Sequence, residues 1–151
     1  MINRIVPGWR EYFLSIVDVI ATRSKDPHTQ VGCVIVGPDH EIRSTGYNGF
    51  VRDAQDRIPE RLNGPEKYFW IEHAERNAIY NAARMGTPLA GCHLYLRWFP
   101  CMDCARAIVQ SGISEVTAGP PDLTNERWGE EFKRVLELFV EVGIPVWTGT
   151  E

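Results

Sequence analysis

The chain has no surplus of positive charge, no long apolar run and few cysteines, and each of these absences excludes a class of function. Among its 151 residues, 16 Lys and Arg face 20 Asp and Glu, for a formal net charge of −4. A long polyanion such as RNA or DNA needs a broad basic surface, so a long nucleic acid is not an expected partner. A single local cluster still suffices for a small phosphorylated molecule. No stretch approaches the roughly 18 apolar residues of a membrane span, and no secretory pattern opens the sequence. Repeats, low-complexity tracts and linker-like segments are lacking as well. The expectation is one cytoplasmic domain over residues 1–151, long enough to enclose a substantial core and not associated with a membrane.

The four cysteines divide into two kinds. Cys33 lies in the apolar run Val31-Gly32-Cys33-Val34-Ile35-Val36 and reads as a small buried residue. Cys92 and His93 open another apparent strand and read as structural; His28 and His40 read as loop residues. The remaining two form Pro100-Cys101-Met102-Asp103-Cys104, with His73-Ala74-Glu75 upstream. In a reducing compartment this set reads as a metal site rather than a disulfide. A thioredoxin-type redox pair is the competing reading, and it has no use for His73 or Glu75.

Hydrophobic spacing places these motifs. Trp9, Tyr12, Phe13, Ile16, Val17 and Ile20 recur with helical period, and Asp26-Pro27 is the expected stop. Residues 31–36 and 42–47 read as strands joined by Gly37-Pro38-Asp39-His40. Residues 49–68 lack periodicity and read as a long loop, a feature often tied to function. A helix is expected from about residue 72 to Gly86, a strand over 92–99, and a helix with Pro100 at its first position that ends at Gly112. A short strand over 115–118, a turn at 119–122, a helix carrying Trp128, Phe132, Val135, Leu136 and Phe139, and a strand over 144–147 complete the pattern. Strands alternating with helices imply an α/β fold with helices on both faces of a sheet.

One imidazole and two thiolates supply three ligands, which suits a catalytic zinc whose fourth position is left to water. Cys101 and Cys104 are three apart and share a helix face, and the positive end of the helix favours both as thiolates. His73 and Glu75, two apart, would point roughly 200° from one another on a regular helix, so they require a helix start that departs from ideal geometry. Zinc lowers the pKa of its water toward about 7. Glu75 can then take a proton from that water, pass it to a ring nitrogen, and carry a second to a departing amine while hydroxide attacks the amidine-like carbon. H-x-E with P-C-x-x-C is the pattern of zinc deaminases acting on nucleobases. A non-catalytic zinc module is the rival reading, and it would not need Glu75.

At this point the chain resembles the cytidine/deoxycytidylate deaminase superfamily, and within it the deoxycytidylate branch. The likeness runs through Arg23-Ser24-Lys25-Asp26-Pro27, Thr29-Gln30-Val31-Gly32, Gly46-Tyr47-Asn48-Gly49, His73-Ala74-Glu75-Arg76-Asn77-Ala78-Ile79 and Gln110-Ser111-Gly112-Ile113. It implies a cytidine-deaminase-like three-layer α/β/α fold with a mixed five-stranded sheet, a homo-oligomer, and conversion of dCMP to dUMP. It implies His73, Cys101 and Cys104 as zinc ligands and Glu75 as the catalytic residue, with Asn48 and Ala74 against the substrate. It also points to Arg23, Ser24 and Lys25 as donors to a 5′-phosphate, although the residues alone read equally as a solvated helix end, and Asn48-Gly49 alone as a turn.

Many members respond to dCTP and dTTP, and the Gly46 to Gly49 element is tied to that control. Some relatives hold a second zinc through ligands preceding the His-Ala-Glu motif. Residues 50–72 contain no Cys or His, so one zinc per subunit is expected. Arg97 stands where relatives carry a small residue, and with Trp98 it either faces the substrate pocket or packs elsewhere. Tyr68-Phe69-Trp70 reads as core or subunit interface. Cytidine, guanine or adenosine in tRNA are the other substrates the zinc motif allows.

Overall fold

Alternating side chains on one buried strand define two layers of the molecule. In a computed structural model, which describes residues 4–149, α1 spans Trp9–Ala21 and β1 spans Gly32–Val36, buried throughout. Successive strand residues face opposite sides of a sheet. Val34 and Val36 accordingly pack with Phe13 and Val17 of α1, while Cys33 and Ile35 enter a larger cluster on the other face.

The chain continues through β2 (Ile42–Tyr47) and β3 (Gly49–Phe50). Two 3-10 turns (Pro59–Leu62 and Gly64–Glu66) lead into α2 (Lys67–Trp70), β4 (Ile71–Glu72) and α3 (Ala74–Met85). Then follow β5 (His93–Leu96), α4 (Met102–Gln110), β6 (Glu115–Thr117), α5 (Gly129–Val142) and β7 (Val146–Trp147). Five strands form one sheet in the order β2-β1-β5-β6-β7. The β2–β1 and β1–β5 pairs are antiparallel, and β5–β6 and β6–β7 are parallel. Ala78 and Ala82 of α3, Ala105 and Ile108 of α4, and Val135 and Phe139 of α5 cover the face opposite α1. The result is the expected α/β architecture: three layers with a mixed five-stranded sheet in the middle. No helix among the described residues is long and apolar enough to cross a membrane.

Three local expectations are corrected. Helix α1 ends at Ala21, well before Asp26-Pro27. Thr22, Arg23 and Ser24 donate their N–H groups three residues back, to Val19, Ile20 and Ala21, which tightens and closes the helix. The expected loop over residues 49–68 is not plain: it holds β3, two 3-10 turns and the start of α2, and β3 pairs with β4 as a short ribbon, Gly49 opposite Glu72 and Phe50 opposite Ile71. Pro100 is not the first residue of α4; Cys101 is its N-cap, with φ −73° and ψ 170°.

Helix α3 is fastened to strand β2 with unusual closeness. A Cβ on Gly46 would lie 2.3 Å from both the Ala74 oxygen and the Ala78 nitrogen, so only glycine lets the strand rest on the first turn of the helix. Ser44 Oγ donates to the Ala78 carbonyl at 2.6 Å, Asn77 Nδ2 to Tyr47 O at 2.8 Å, and Asn81 Nδ2 to Thr45 O at 2.7 Å. At its other end α3 stops at Gly86, in the left-handed region at φ 69°.

His93 lies on the α1 side of the sheet, stacked on Tyr95 with ring centroids 4.1 Å apart and 2.8 Å from Thr117 Oγ1 through Nε2. Burial pushes its pKa down to about 4, against the opposing pull of Glu115. The imidazole is therefore neutral in the fold, whereas the unfolded chain protonates it near 6.5. The unfolded state binds the extra proton between those two values, so stability falls as pH drops from about 6.5 to about 4. We expect His93→Gln to flatten that part of the stability profile, measured by urea unfolding across the pH window.

Candidate active site

Two helix starts meet above the sheet, and their residues occupy matching positions. His73 is the N-cap of α3, extended at φ −75° and ψ 153°, and Cys101 is the N-cap of α4. Each helix then presents its third residue, Arg76 or Cys104. N-cap and N3 side chains face one another across a helix's first turn, as in a capping box. This arrangement resolves the spacing of His73 and Glu75: the histidine leaves from an extended residue and the glutamate from the helix proper.

His73 Nδ1 lies 3.5 Å from Cys101 Sγ and 3.5 Å from Cys104 Sγ. Tetrahedral zinc with Zn–S of about 2.3 Å and Zn–N of about 2.0–2.1 Å sets an N···S edge of about 3.5 Å. The three ligand atoms lie within 4.8 Å of one another, the one such group of three among the described residues. Donor chemistry and spacing both fit zinc. The Cys101 thiol is pushed down to about 4, chiefly by the hydrogen bond from Cys104 and also by His73, with burial opposing. Cys104 moves the other way, as the partner in that hydrogen bond and by burial.

Arg76 supports this set. Its Nη1 approaches Cys104 Sγ at 3.4 Å, while its Nε donates to Glu72 Oε1 at 2.6 Å. The same carboxylate oxygen accepts the His73 backbone N–H at 3.0 Å. Across the site, Glu131 of α5 accepts the Met102 N–H at 2.8 Å, satisfying a first-turn donor that the Cys101 side chain leaves free.

Glu75 is 4% exposed. Burial raises its carboxyl above the usual range, and the nearby His73 limits the rise. Together with His73, Ala74 and Cys101 it lines a cavity of about 670 Å³. Phe99, Phe132, Trp98 and Trp128 supply apolar wall, and Asn48, Thr29, Asp26 and Lys67 supply polar groups. Such a lining suits a flat heteroaromatic ring with a polar attachment.

The residues singled out from sequence are not all brought here. Asn48 lines the cavity, and its amide is also structural. Oδ1 accepts the Val31 N–H and Nδ2 donates to Thr29 O, both at 2.8 Å, which leaves one N–H. Ser24 Oγ donates to Asn48 O at 2.7 Å, and Lys25 is paired with Asp56 at the surface. Arg23, Ser24 and Lys25 are not part of the cavity lining. Arg97 contributes to the wall, but its guanidinium bonds both oxygens of Asp18 on α1, at 2.8 and 2.6 Å. Trp98 stands at the rim, 57% exposed. His93, on the far face of the sheet, is remote from the three ligands.

Sequence reasoning missed Asp26 and Lys67. Asp26 Oδ1 accepts the N–H groups of His28 and Thr29, and its Oδ2 pairs with Lys67 at 2.9 Å. Burial alone would raise the Asp26 carboxyl, but the Lys67 ammonium and the backbone donors hold it below the usual range. An Asp followed by Pro is the sequence signal of such a side-chain-closed turn; nothing local pointed to its partner 41 residues on.

Residues 7–119 match the family described as the cytidine and deoxycytidylate deaminase zinc-binding region. The chain belongs to this family. It is 42% identical over 113 residues to the deoxycytidylate deaminase of Homo sapiens, a match covering 72% of this chain and 62% of that protein. The match thus spans less than two thirds of that relative's length. An uncharacterized deaminase of Aliivibrio fischeri is 36% identical over 148 residues, 94% of each chain. Among solved structures, dCMP deaminase from cyanophage S-TIM5 in complex with dCMP and dUMP superposes with a TM-score of 0.76 over 97% of this chain and 100% of that one, at 20% identity. The deaminase-family fold is thereby established, and the sequence expectation of it holds.

For this deaminase-family chain the three ligands and the Arg76–Glu72 support behind them set an expected ordering of metal retention. After dialysis against a chelator, Glu75→Gln should keep about one zinc per chain and Cys104→Ser should lose it. Arg76→Gln should weaken zinc affinity by about tenfold or more, as outer-shell partners of ligands commonly do. Atomic absorption and chelator competition provide the measurements.

Proposed function

We propose that the chain catalyses zinc-dependent hydrolytic deamination of dCMP to dUMP, as a single domain over residues 1–151 in the cytoplasm. The reading rests on one observation above others: a buried carboxylate, Glu75, shares the wall of an aromatic-lined cavity with His73 and Cys101, two members of the three-residue metal-ligating group that Cys104 completes. His73, Cys101 and Cys104 would hold the zinc, which would supply a water acidic enough to be a nucleophile near neutral pH. Glu75 would accept one proton from the attacking water and deliver it to N3 of the cytosine, then carry the second to the amine as the C4–N bond breaks. The water oxygen becomes the C4 carbonyl oxygen, one proton ends on N3, and the other leaves with ammonia. A carboxyl raised above its ordinary range by burial is better suited to both steps than an exposed one, because it holds the proton more firmly between them.

Substrate choice is supported by the 42% identity to a deoxycytidylate deaminase. In this reading Asn48 offers its remaining N–H to the nucleotide and Ala74 borders the base, while Trp98 closes the rim. Control by dCTP or dTTP belongs to the same reading, supported by the Gly46-Tyr47-Asn48-Gly49 element, as does assembly into a homo-oligomer, supported by the family resemblance.

Purified, zinc-loaded protein should release ammonia from dCMP in preference to CMP, deoxycytidine, cytosine, adenosine and guanine. Glu75→Gln should lower kcat by about 10²–10⁴-fold while zinc content is retained. Loss of activity together with zinc would remove the proton-carrier role from Glu75, and activity on another base alone would remove dCMP.

A further inference from the structure

The cavity does not end at Lys67. Thr29, Lys67 and Tyr68 also line an adjoining recess, whose other walls include His28 and Arg127 and none of the metal ligands. Lys67 is largely buried, its side chain 15% exposed, and pairs with Asp26 Oδ2. An ammonium carries three N–H donors, and Asp26 is its one hydrogen-bond partner among the described residues, so two donors remain. The other Asp26 oxygen is filled by the backbone of His28 and Thr29. That pair holds the ammonium in place where cavity and recess meet.

Arg127 lies on the same tyrosine. Its guanidinium sits 4.2 Å over the Tyr68 ring and 4.6 Å over the Trp128 ring, and Nη1 donates to Tyr68 OH at 2.5 Å. Among the described residues no carboxylate is paired with it. Two aromatic rings, one of them also through its hydroxyl, thus hold an uncompensated planar cation beside Lys67. Lys67 and Asp26 cancel, so the recess keeps the charge of Arg127. Planar guanidinium and ammonium together match the oxygens of a phosphomonoester.

We propose that Lys67 and Arg127, flanking Tyr68, form the subsite for the phosphomonoester of the substrate. The subsite rests on the deaminase reading for the placement of the base at Glu75. It also assigns the phosphate to residues other than Arg23, Ser24 and Lys25, which line neither the cavity nor the recess.

The test is steady-state deamination of dCMP and deoxycytidine by the zinc-loaded chain, wild type against Arg127→Gln and Lys67→Gln. The ratio of kcat/KM for dCMP over that for deoxycytidine should fall about tenfold or more in each variant, carried by KM, as expected for loss of a charge-assisted contact. Lys67→Gln leaves the buried Asp26 carboxylate unpaired and can unfold the chain, so Arg127→Gln, which keeps that pair, decides. A ratio within about twofold of wild type in Arg127→Gln overturns the subsite while leaving the deaminase reading intact. If wild type turns over neither compound, the deaminase reading fails, and calorimetry with inorganic phosphate judges the subsite separately. Saturable binding weakened about tenfold in Arg127→Gln upholds it, and lack of binding to wild type overturns it.

Discussion

The contact on which the chemistry depends is between two helix N-termini, where the His73 imidazole nitrogen stands 3.5 Å from each of two sulfurs. Helix starts carry partial positive charge and unpaired N–H groups, so two of them converging would repel unless negative charge lay between. The Cys101 thiolate provides it, and a bound cation would hold Cys104 as a thiolate as well. Ligands and helix ends are thus mutually required. The same convergence sets Glu75 one residue past the start of α3, deep enough that its carboxyl titrates above the ordinary range.

The rest of the fold keeps those two ends in register. Gly46 permits a strand-to-helix approach that no side chain would allow, and three side-chain hydrogen bonds fix α3 along β2. Strand β5 delivers the chain to Pro100 and Cys101, and its Leu94 and Leu96 are packed under the helices. Glu72 binds the His73 N–H and Arg76 together, and Glu131 binds the first N–H of α4. Positioning on sheet and helix, rather than on a loop, is what gives a metal site its precision.

Much of this was legible from the sequence where the signal is periodic or chemical. Strand β1, helix α3 and the stripe on α5 followed from apolar spacing, and the three ligands with Glu75 followed from residue type and interval. The illegible parts have identifiable causes. Residues 49–72 fold into pieces of two to four residues, too short to show a period. Cys101 is an N-cap because its own backbone is still extended, which a proline in front of a helix does not distinguish from a first helical residue. Basic residues are the least legible of all. Arg97 pairs with Asp18 and Lys25 with Asp56, while Lys67, unremarked in the sequence, reaches the cavity because Asp26 draws it there. The direction of a long charged side chain is set by partners distant in sequence.

The chemistry turns on a zinc held by three protein ligands with one position left to solvent. X-ray absorption at the zinc edge of the loaded protein tests it most directly. The expected first shell is two sulfurs at about 2.3 Å and two light atoms at about 2.0–2.1 Å, one of them an exchangeable oxygen displaced when an anion is added. A shell of four protein ligands with no exchangeable oxygen, or a shell of oxygens alone, would contradict it.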